Sequence, residues 1–238
     1  NNKKRKQMKE IIKSLIFSFF YLKVNFKNYA PIILYLLFTQ FIIKYTQNIY
    51  LVIIFFLLYI FVSSPLVVNI FRSIILNENL SNHYFDFFKK DYTNLYIKKV
   101  FYLLISAIVI YFLHVLILSP FISQDISKIT FFLYILFLYL IYIYTRILFI
   151  LPAASLNVSK GLKDSYLFTK GNSIKIYVLY LIIITPYFFI NMIISKYAQD
   201  FSAINLLVLV SILIQVYFTI LQSAFFAYIY KNILGMKS

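Results

Sequence analysis

Four basic side chains lie in one short polar stretch, 146–172, of an otherwise apolar chain, close to the single acid Asp164. They are Arg146, Lys160, Lys163 and Lys170. Guanidinium and ammonium groups donate hydrogen bonds to phosphate oxygens, and arginine does so with two parallel donors. A helix N-terminus adds backbone N–H groups to such a site. The stretch therefore predicts a contact with a lipid headgroup or with a protein partner.

The same stretch contains residues that interrupt and restart helices. Pro152 lacks a backbone N–H, so it should kink or end the apolar helix that reaches it. Ser159 is expected to cap a new short helix. Gly161 and Gly171 are two of the chain's three glycines. Gly171 suits the left-handed C′ position that ends this short helix, and Asn172 follows it.

Arg146 also has an interpretation without binding chemistry. A long basic side chain near a helix end can extend to the headgroups while its stem stays in hydrocarbon. Arg146 would then only help to fix the orientation of the chain in the membrane. The sequence leaves both interpretations open.

Residues that could support catalysis or hold a metal are scarce. None of the seven acids falls within a predicted span, and there is no cysteine. Ion-coupled carriers usually place a carboxylate inside the membrane. His83 and His114 are predicted to lie at different depths, so they cannot share a metal. We therefore expect a non-enzymatic protein with no catalytic residue, no metal and no cofactor.

The composition predicts a single all-α membrane domain over 1–238. Hydrophobic residues make up 63% of the 238 residues, and the mean hydropathy is +0.86. A water-soluble domain of this length needs a more polar surface. The net charge of +16 would suit nucleic acid, but its cations lie beside the predicted membrane segments. We therefore predict anionic lipids as partners, and no nucleic acid.

Six apolar runs approach the length of about 20 residues that a helix needs to cross the hydrocarbon core. The predicted transmembrane spans are 30–45, 49–71, 100–119, 129–151, 175–195 and 203–230. Amide side chains within them are expected to form hydrogen bonds between helices. These residues are Gln40, Asn69, Asn191, Gln215 and Gln222.

The basic residues alternate between the segments that flank the spans. From the N-terminus to the C-terminus these segments carry eight, one, five, one, five, one and two lysines or arginines. Cytoplasmic loops of membrane proteins carry the excess of basic residues. The alternation therefore predicts that both termini are cytoplasmic.

Each long cytoplasmic segment is predicted to contain an interfacial helix. In the basic segment 1–28, Ile12, Ile16 and Phe20 follow helical spacing, and Ser14 falls on the opposite, basic face. The second such helix is predicted over 84–95, and the third over 160–170.

The three cytoplasmic segments also resemble one another in sequence. The similar stretches are Phe20-Tyr21-Leu22-Lys23, Phe87-Phe88-Lys89-Lys90 and Leu167-Phe168-Thr169-Lys170. We therefore predict a threefold repeat of one interfacial helix and a hairpin of two spans.

The stretch 146–172 resembles the YciC-like family of bacterial inner-membrane proteins. It equally resembles the related membrane domain attached to some glycerophosphoryl diester phosphodiesterases. Members of the family often carry an acidic residue and a tryptophan where this chain has Asn157 and Tyr166. The residues that carry the resemblance are Arg146, Leu151-Pro152-Ala153, Gly161, Ser165 and Thr169-Lys170-Gly171-Asn172. The resemblance implies a non-catalytic bacterial inner-membrane domain, and it does not imply phosphodiesterase activity.

The sequence thus predicts a protein that organises lipid or a protein partner through its cytoplasmic surface helices. The alternative is a permease subunit of a transporter driven by a separate ATPase. In that case a short cytoplasmic helix, such as 160–170, would dock on the ATPase.

Overall fold

The computed structural model describes residues 9, 12–21, 33–35, 37–39, 42, 49–78, 89–118, 126–197 and 204–232. Within these ranges the regular structure is helical and contains no strand, which confirms the all-α prediction for this part of the chain. The main helices are α1 (Ile12–Tyr21), α2 (Ile49–Ile75), α3 (Asp91–Leu118), α4 (Ile126–Ile147), α5 (Ile150–Ser155), α6 (Leu162–Phe168), α7 (Ser173–Tyr197) and α8 (Ile204–Asn232).

Five helical segments among the described residues are long and apolar enough to cross a membrane. They are Ile49–Ile75, Asp91–Leu113, Tyr134–Ser155, Ser173–Ile194 and Leu213–Asn232. Each overlaps one of the last five predicted spans, and together they fit a multi-pass membrane protein. Most of the predicted first span, 30–45, lies outside the described residues.

Helix α3 begins earlier than the span predicted at 100–119. Asp91 lies in its first turn, where a negative charge is favourable next to the positive end of the helix dipole. Tyr96 and Ile97 are buried, so packing stabilises this start of the helix. Tyr92 and Leu95 therefore belong to α3 and not to a separate surface helix, and the rest of the segment predicted over 84–95 lies mostly outside the described residues.

The hydrophobic core of the described bundle is concentrated toward one end. It occupies the C-terminal halves of α2, α4 and α8 and the N-terminal halves of α3 and α7. The largest fully buried side chains are Leu66, Ile70, Phe149, Ile150, Ile176, Ile220, Leu221, Phe225 and Tyr230. We call this the packed end. The other halves expose large apolar side chains such as Phe112 and Phe189.

Helix α8 lies at the centre of the packed end, against α2 and α7, while α4 packs on α7. The short helix α5 lies among α2, α3 and α8. Small side chains on α5 and α8 are fully buried, and they let helix backbones approach closely. These residues are Ala153, Ala154, Ala224 and Ala227.

Three of the predicted interhelical hydrogen bonds are present, and all of them involve α8. They join Ser211 to Asn191 at 3.1 Å, Gln215 to Tyr59 at 3.5 Å and Gln222 to Tyr180 at 3.0 Å. The prediction is confirmed for Asn191, Gln215 and Gln222. Such bonds satisfy amide groups that hydrocarbon cannot solvate.

Helix α1 packs against the protein through its serine face. Ser14 and Ser18 are fully buried. The Tyr21 hydroxyl lies 2.8 Å from that of Ser73 on α2. The prediction that Ser14 lies on an outward basic face is therefore wrong. In a membrane, small residues favour helix contacts while large apolar residues can face lipid.

The opposite side of α1 is exposed and apolar. Ile12, Ile16, Phe19 and Phe20 are each at least half exposed. Lys13 beside them is also exposed. This side therefore combines large apolar groups with a cation.

Candidate functional site

The apolar helix breaks just before Pro152, as predicted. Helix α4 ends at Ile147 and α5 begins at Ile150. Pro152 is the third residue of α5, within the first turn, where backbone N–H groups have no intrahelical partner. Its ring would clash with the carbonyl of Leu148 in a continuous helix, which explains the position of the break.

Asn157 ends α5 in a conformation that the sequence analysis missed. Its φ of 62° is left-handed. The Asn157 N–H donates to the Ala154 carbonyl at 2.9 Å, and the Val158 N–H donates to the Ala153 carbonyl at 3.0 Å. This pair of bonds is a Schellman motif, for which asparagine is the usual substitute for glycine. The asparagine at position 157 was therefore the feature of the sequence that could have predicted this helix end.

Helix α6 is capped by Gly161, not by Ser159 as predicted. The Asp164 carboxylate accepts the Gly161 N–H at 2.9 Å. An acid is favourable here because of the partial positive charge at a helix N-terminus. The chain's own carboxylate thus occupies the start of α6, where a phosphate was expected.

Gly171 adopts the left-handed conformation that was predicted, with a φ of +89°. The cap of α6 is Thr169, so Gly171 lies one position beyond the predicted C′ site. The Asn172 N–H closes this turn on the Thr169 carbonyl at 3.0 Å. Asn172 then starts α7, because its carbonyl accepts the Ile176 N–H at 3.0 Å.

Arg146 is buried, with 6% of its surface exposed. Its Nε donates to the Thr169 hydroxyl at 3.0 Å, and its Nη2 donates to the Tyr166 carbonyl at 2.7 Å. A longer contact of 3.4 Å joins Nη1 to the Tyr142 hydroxyl. The guanidinium group therefore holds the C-terminal end of α6 against the end of α4.

The charge of Arg146 is compensated by dipoles. Within the described ranges no carboxylate forms an ion pair with it. Its guanidinium carbon lies 3.2 Å from the ring centroid of Tyr166, a cation–π contact. The C-termini of α4 and α6 both meet this group, and each carries partial negative charge. These contacts occupy all three nitrogens without a headgroup, so a lipid role for Arg146 stays a prediction.

Two other cations at the packed end bond to helix C-termini in the same way. Arg72 donates to the Ser155 carbonyl at the end of α5, at 3.1 Å. Lys231 donates to the Ile74 carbonyl at the end of α2, at 2.7 Å. We call Arg72, Arg146 and Lys231 the capping cations. Each lies near the C-terminus of a long helix and satisfies a carbonyl of another helix, where such groups lack intrahelical partners.

Arg72 has two further partners. Its Nε and Nη2 donate to the two carboxylate oxygens of Glu78, with 2.8 Å for the Nε bond. Its guanidinium carbon lies 4.1 Å from the ring centroid of Tyr92. Arg72 therefore links α2, the segment after it, α3 and α5.

The three predicted lysines lie at the surface, apart from buried Arg146. Lys163 and Lys170 are exposed, and Lys160 is half-buried. Between them Tyr166 and Leu167 are 46% and 52% exposed. Together with the exposed lysines, these two side chains form a mixed apolar and basic surface on α6 and on the turn that follows it. A contact of the four cations with a headgroup or a partner stays a prediction.

Among the described residues, no group of three histidine, cysteine or acidic side chains is placed to hold a metal. A scan against protein-family models, a search of curated proteins and a search of solved structures each find no match, so the resemblance to the YciC-like family stays a prediction from the sequence.

Proposed function

We propose that this chain is a non-enzymatic, multi-pass protein that organises anionic lipid at the cytoplasmic face of a bacterial inner membrane. The exposed surface of α6 is the observation that supports this most directly. It presents Tyr166 and Leu167 between the exposed cations Lys163 and Lys170. Such helices insert apolar side chains at the headgroup level and attract anionic lipids. The bacterial inner membrane is taken from the resemblance to the YciC-like family.

Helix α1 repeats this arrangement, which supports interfacial positions for both helices. In the alignment of the two segments, Ser18 matches Ser165, and both are buried. The next two positions, Phe19-Phe20 and Tyr166-Leu167, are exposed in both helices. Tyr21 and Phe168 follow, and both are half-buried. Equal burial at four consecutive positions supports the similarity of the first and third units of the proposed repeat, while the matching positions of the second unit lie outside the described residues.

The partners of α1 also favour a surface position. Tyr21 contacts Ser73, and the ring centroids of Phe17 and Tyr228 lie 5.0 Å apart. Ser73 and Tyr228 each lie close to the end of their helix. Helix α1 therefore contacts two helix ends at the packed end, as a helix lying along the membrane surface would.

The proposed orientation predicts the outcome of reporter fusions. We expect a reporter that is active only outside the cytoplasm to be active when fused after residue 125 and inactive after residue 165. The reason is the excess of basic residues in the segments at the packed end. Activity assays on the two fusions, expressed to equal levels, provide the measurement. The reverse pattern would refute a cytoplasmic packed end.

The lipid role predicts a charge-dependent loss of anionic lipid. Removing both surface cations, in Lys163→Gln with Lys170→Gln, should weaken retention of anionic lipid about 25-fold, since each cation near the membrane contributes about 1 kcal/mol. Native mass spectrometry of protein from nanodiscs of mixed anionic and zwitterionic lipid provides the measurement. Lys196→Gln is the matched control, because Lys196 is exposed at the end of α7 away from the packed end. Equal retention in the double variant and the control would rule out this role for α6.

A further inference from the structure

Helix α1 runs across the packed end of the bundle. Phe17 contacts Tyr228, which lies four residues before the end of α8. Tyr21 contacts Ser73, which lies two residues before the end of α2. The bond from Lys231 to α2 joins these two helix ends, so both contacts are at a similar depth. Phe17 and Tyr21 are about 6 Å apart along α1, and α1 therefore passes over the end of α8 and then over that of α2.

Helix α6 also lies at the ends of two long helices. The Ser165 hydroxyl donates to the Arg146 carbonyl in the last turn of α4, at 2.8 Å. The ring of Phe168 lies nearly parallel to that of Tyr230 in the last turn of α8, with centroids 6.3 Å apart. Helix α6 therefore joins the ends of α4 and α8, at the same end of the bundle as α1.

The sides of α1 and α6 that face away from the bundle carry large apolar side chains. Those that are about half exposed or more are Ile12, Ile16, Phe19 and Phe20 on α1, and Tyr166 and Leu167 on α6. At the level of the helix ends, such side chains insert between the lipids of one leaflet. With a rise of 1.5 Å per residue and a width of about 10 Å, the two helices together occupy about 250 Å² of that leaflet.

This added helical material lies on one side of the membrane. Of the helices whose bounds are given above, α1, α5 and α6 have ten residues or fewer, and all three lie at the packed end. Among the described residues, the bundle is therefore wider in the leaflet at the packed end. When a membrane bends so that one leaflet becomes convex, space opens between the headgroups of that leaflet, and amphipathic helices bind to it more strongly.

We propose that α1 and α6 together form a wedge in the leaflet at the packed end, and that the protein accumulates where this leaflet is convex. Its partner in this role is a curved lipid surface, whatever the charge of the headgroups. The proposal rests on the interfacial positions of α1 and α6, which the proposed function also uses. It does not involve the exposed lysines of α6.

The test follows molecules whose packed end faces outward. The chain contains no cysteine, and Ser159→Cys introduces one at an exposed position between α5 and α6. The full chain is reconstituted into giant vesicles of zwitterionic lipid, and a membrane-impermeant dye labels only the outward-facing packed ends. A tube of about 20 nm radius, whose outer leaflet is convex, is pulled from each vesicle. We expect about threefold more labelled protein per unit area on the tube than on the vesicle.

Two double variants in the same labelled background locate the effect. Phe20→Ser with Leu167→Ser removes apolar side chains from the wedge and should reduce the enrichment on the tube to near one, because serine does not insert between lipids. Phe189→Ser with Leu113→Ser is the matched control and should behave as the parent. It replaces the same residue types, with exposures of 58% and 51% against 63% and 52%, in the halves of α7 and α3 away from the packed end.

The outcomes separate the wedge from the lipid role and from a loss of folding. Thermal unfolding compares each variant with the parent, and Phe20→Ser alone replaces the first double variant if that variant does not fold. Equal density of the parent on tube and vesicle would overturn the proposal, as would an equal loss of enrichment in both double variants. Lys163→Gln with Lys170→Gln should leave the enrichment unchanged in zwitterionic lipid. Absence of enrichment, together with charge-dependent retention of anionic lipid, would exclude the wedge alone.

Discussion

Replacing Arg146 with glutamine should lower the free energy of unfolding by about 3–5 kcal/mol, because several buried partners lose their donor at once. The Tyr166 carbonyl and the Thr169 hydroxyl would lose the guanidinium donor, and the cation–π contact would disappear. Unfolding by a denaturing detergent in bicelles, followed by circular dichroism, provides the measurement. Helix α6 should also become more accessible to protease than in the parent.

Two further variants test whether Arg146 acts through its hydrogen bonds to α6 or only through its positive charge. Arg146→Lys keeps the charge but cannot reproduce three donors in one plane, so it should also destabilise the protein, by about half as much. Lys170→Gln removes an exposed cation and should change the stability by less than about 0.5 kcal/mol. If Arg146→Lys were as stable as the parent, Arg146 would serve only as a membrane-anchoring charge.

Tyr230→Ala should destabilise the packed end by about 3–5 kcal/mol, the range for removing a large buried aromatic side chain. Tyr230 is 1% exposed, and its ring stacks nearly parallel to that of Phe168 with centroids 6.3 Å apart. Two residues earlier, on the other side of α8, Tyr228 contacts Phe17 of α1. The last turns of α8 therefore lie between α1 and α6. Removing the Tyr230 ring should weaken the packing of both helices against α8.

The same denaturing-detergent assay measures this effect against two controls. Tyr134→Ala removes the same atoms from a ring that is 60% exposed, so in a membrane mimic it should cost far less. Tyr230→Phe keeps the ring and should therefore lose less stability than Tyr230→Ala. A small loss in Tyr230→Ala, equal to that in Tyr134→Ala, would show that α6 and α8 are held together by other contacts.

Features with a local cause could be predicted from the sequence. The length of an apolar run decides whether a helix can cross hydrocarbon, and proline and glycine act on the backbone at their own positions. The break before Pro152 and the left-handed Gly171 followed from this. The hydrogen bonds that join amide side chains to or from α8 could be predicted because hydrocarbon offers an amide group no other partner.

The capping cations could not be predicted in this way. Lys231 bonds to a carbonyl that is 157 residues away in the chain, and no local pattern encodes such a contact. The orientation of α1 was missed for another reason. Helical spacing separates two faces, but it does not decide which of them meets lipid and which meets protein. Ser14 and Ser18 lie on the face that meets protein.

The concentration of the core at the packed end gives the two leaflets of the bilayer different mechanical roles. Among the described residues, the helices are held together most tightly at the packed end. Lipid that contacts the packed end therefore meets a protein surface whose shape changes little. At the opposite end fewer side chains are buried, although the bond between Asn191 and Ser211 still joins α7 to α8. Helices tilt when the thickness of the bilayer changes, and we expect this tilting to be larger at the opposite end than at the packed end.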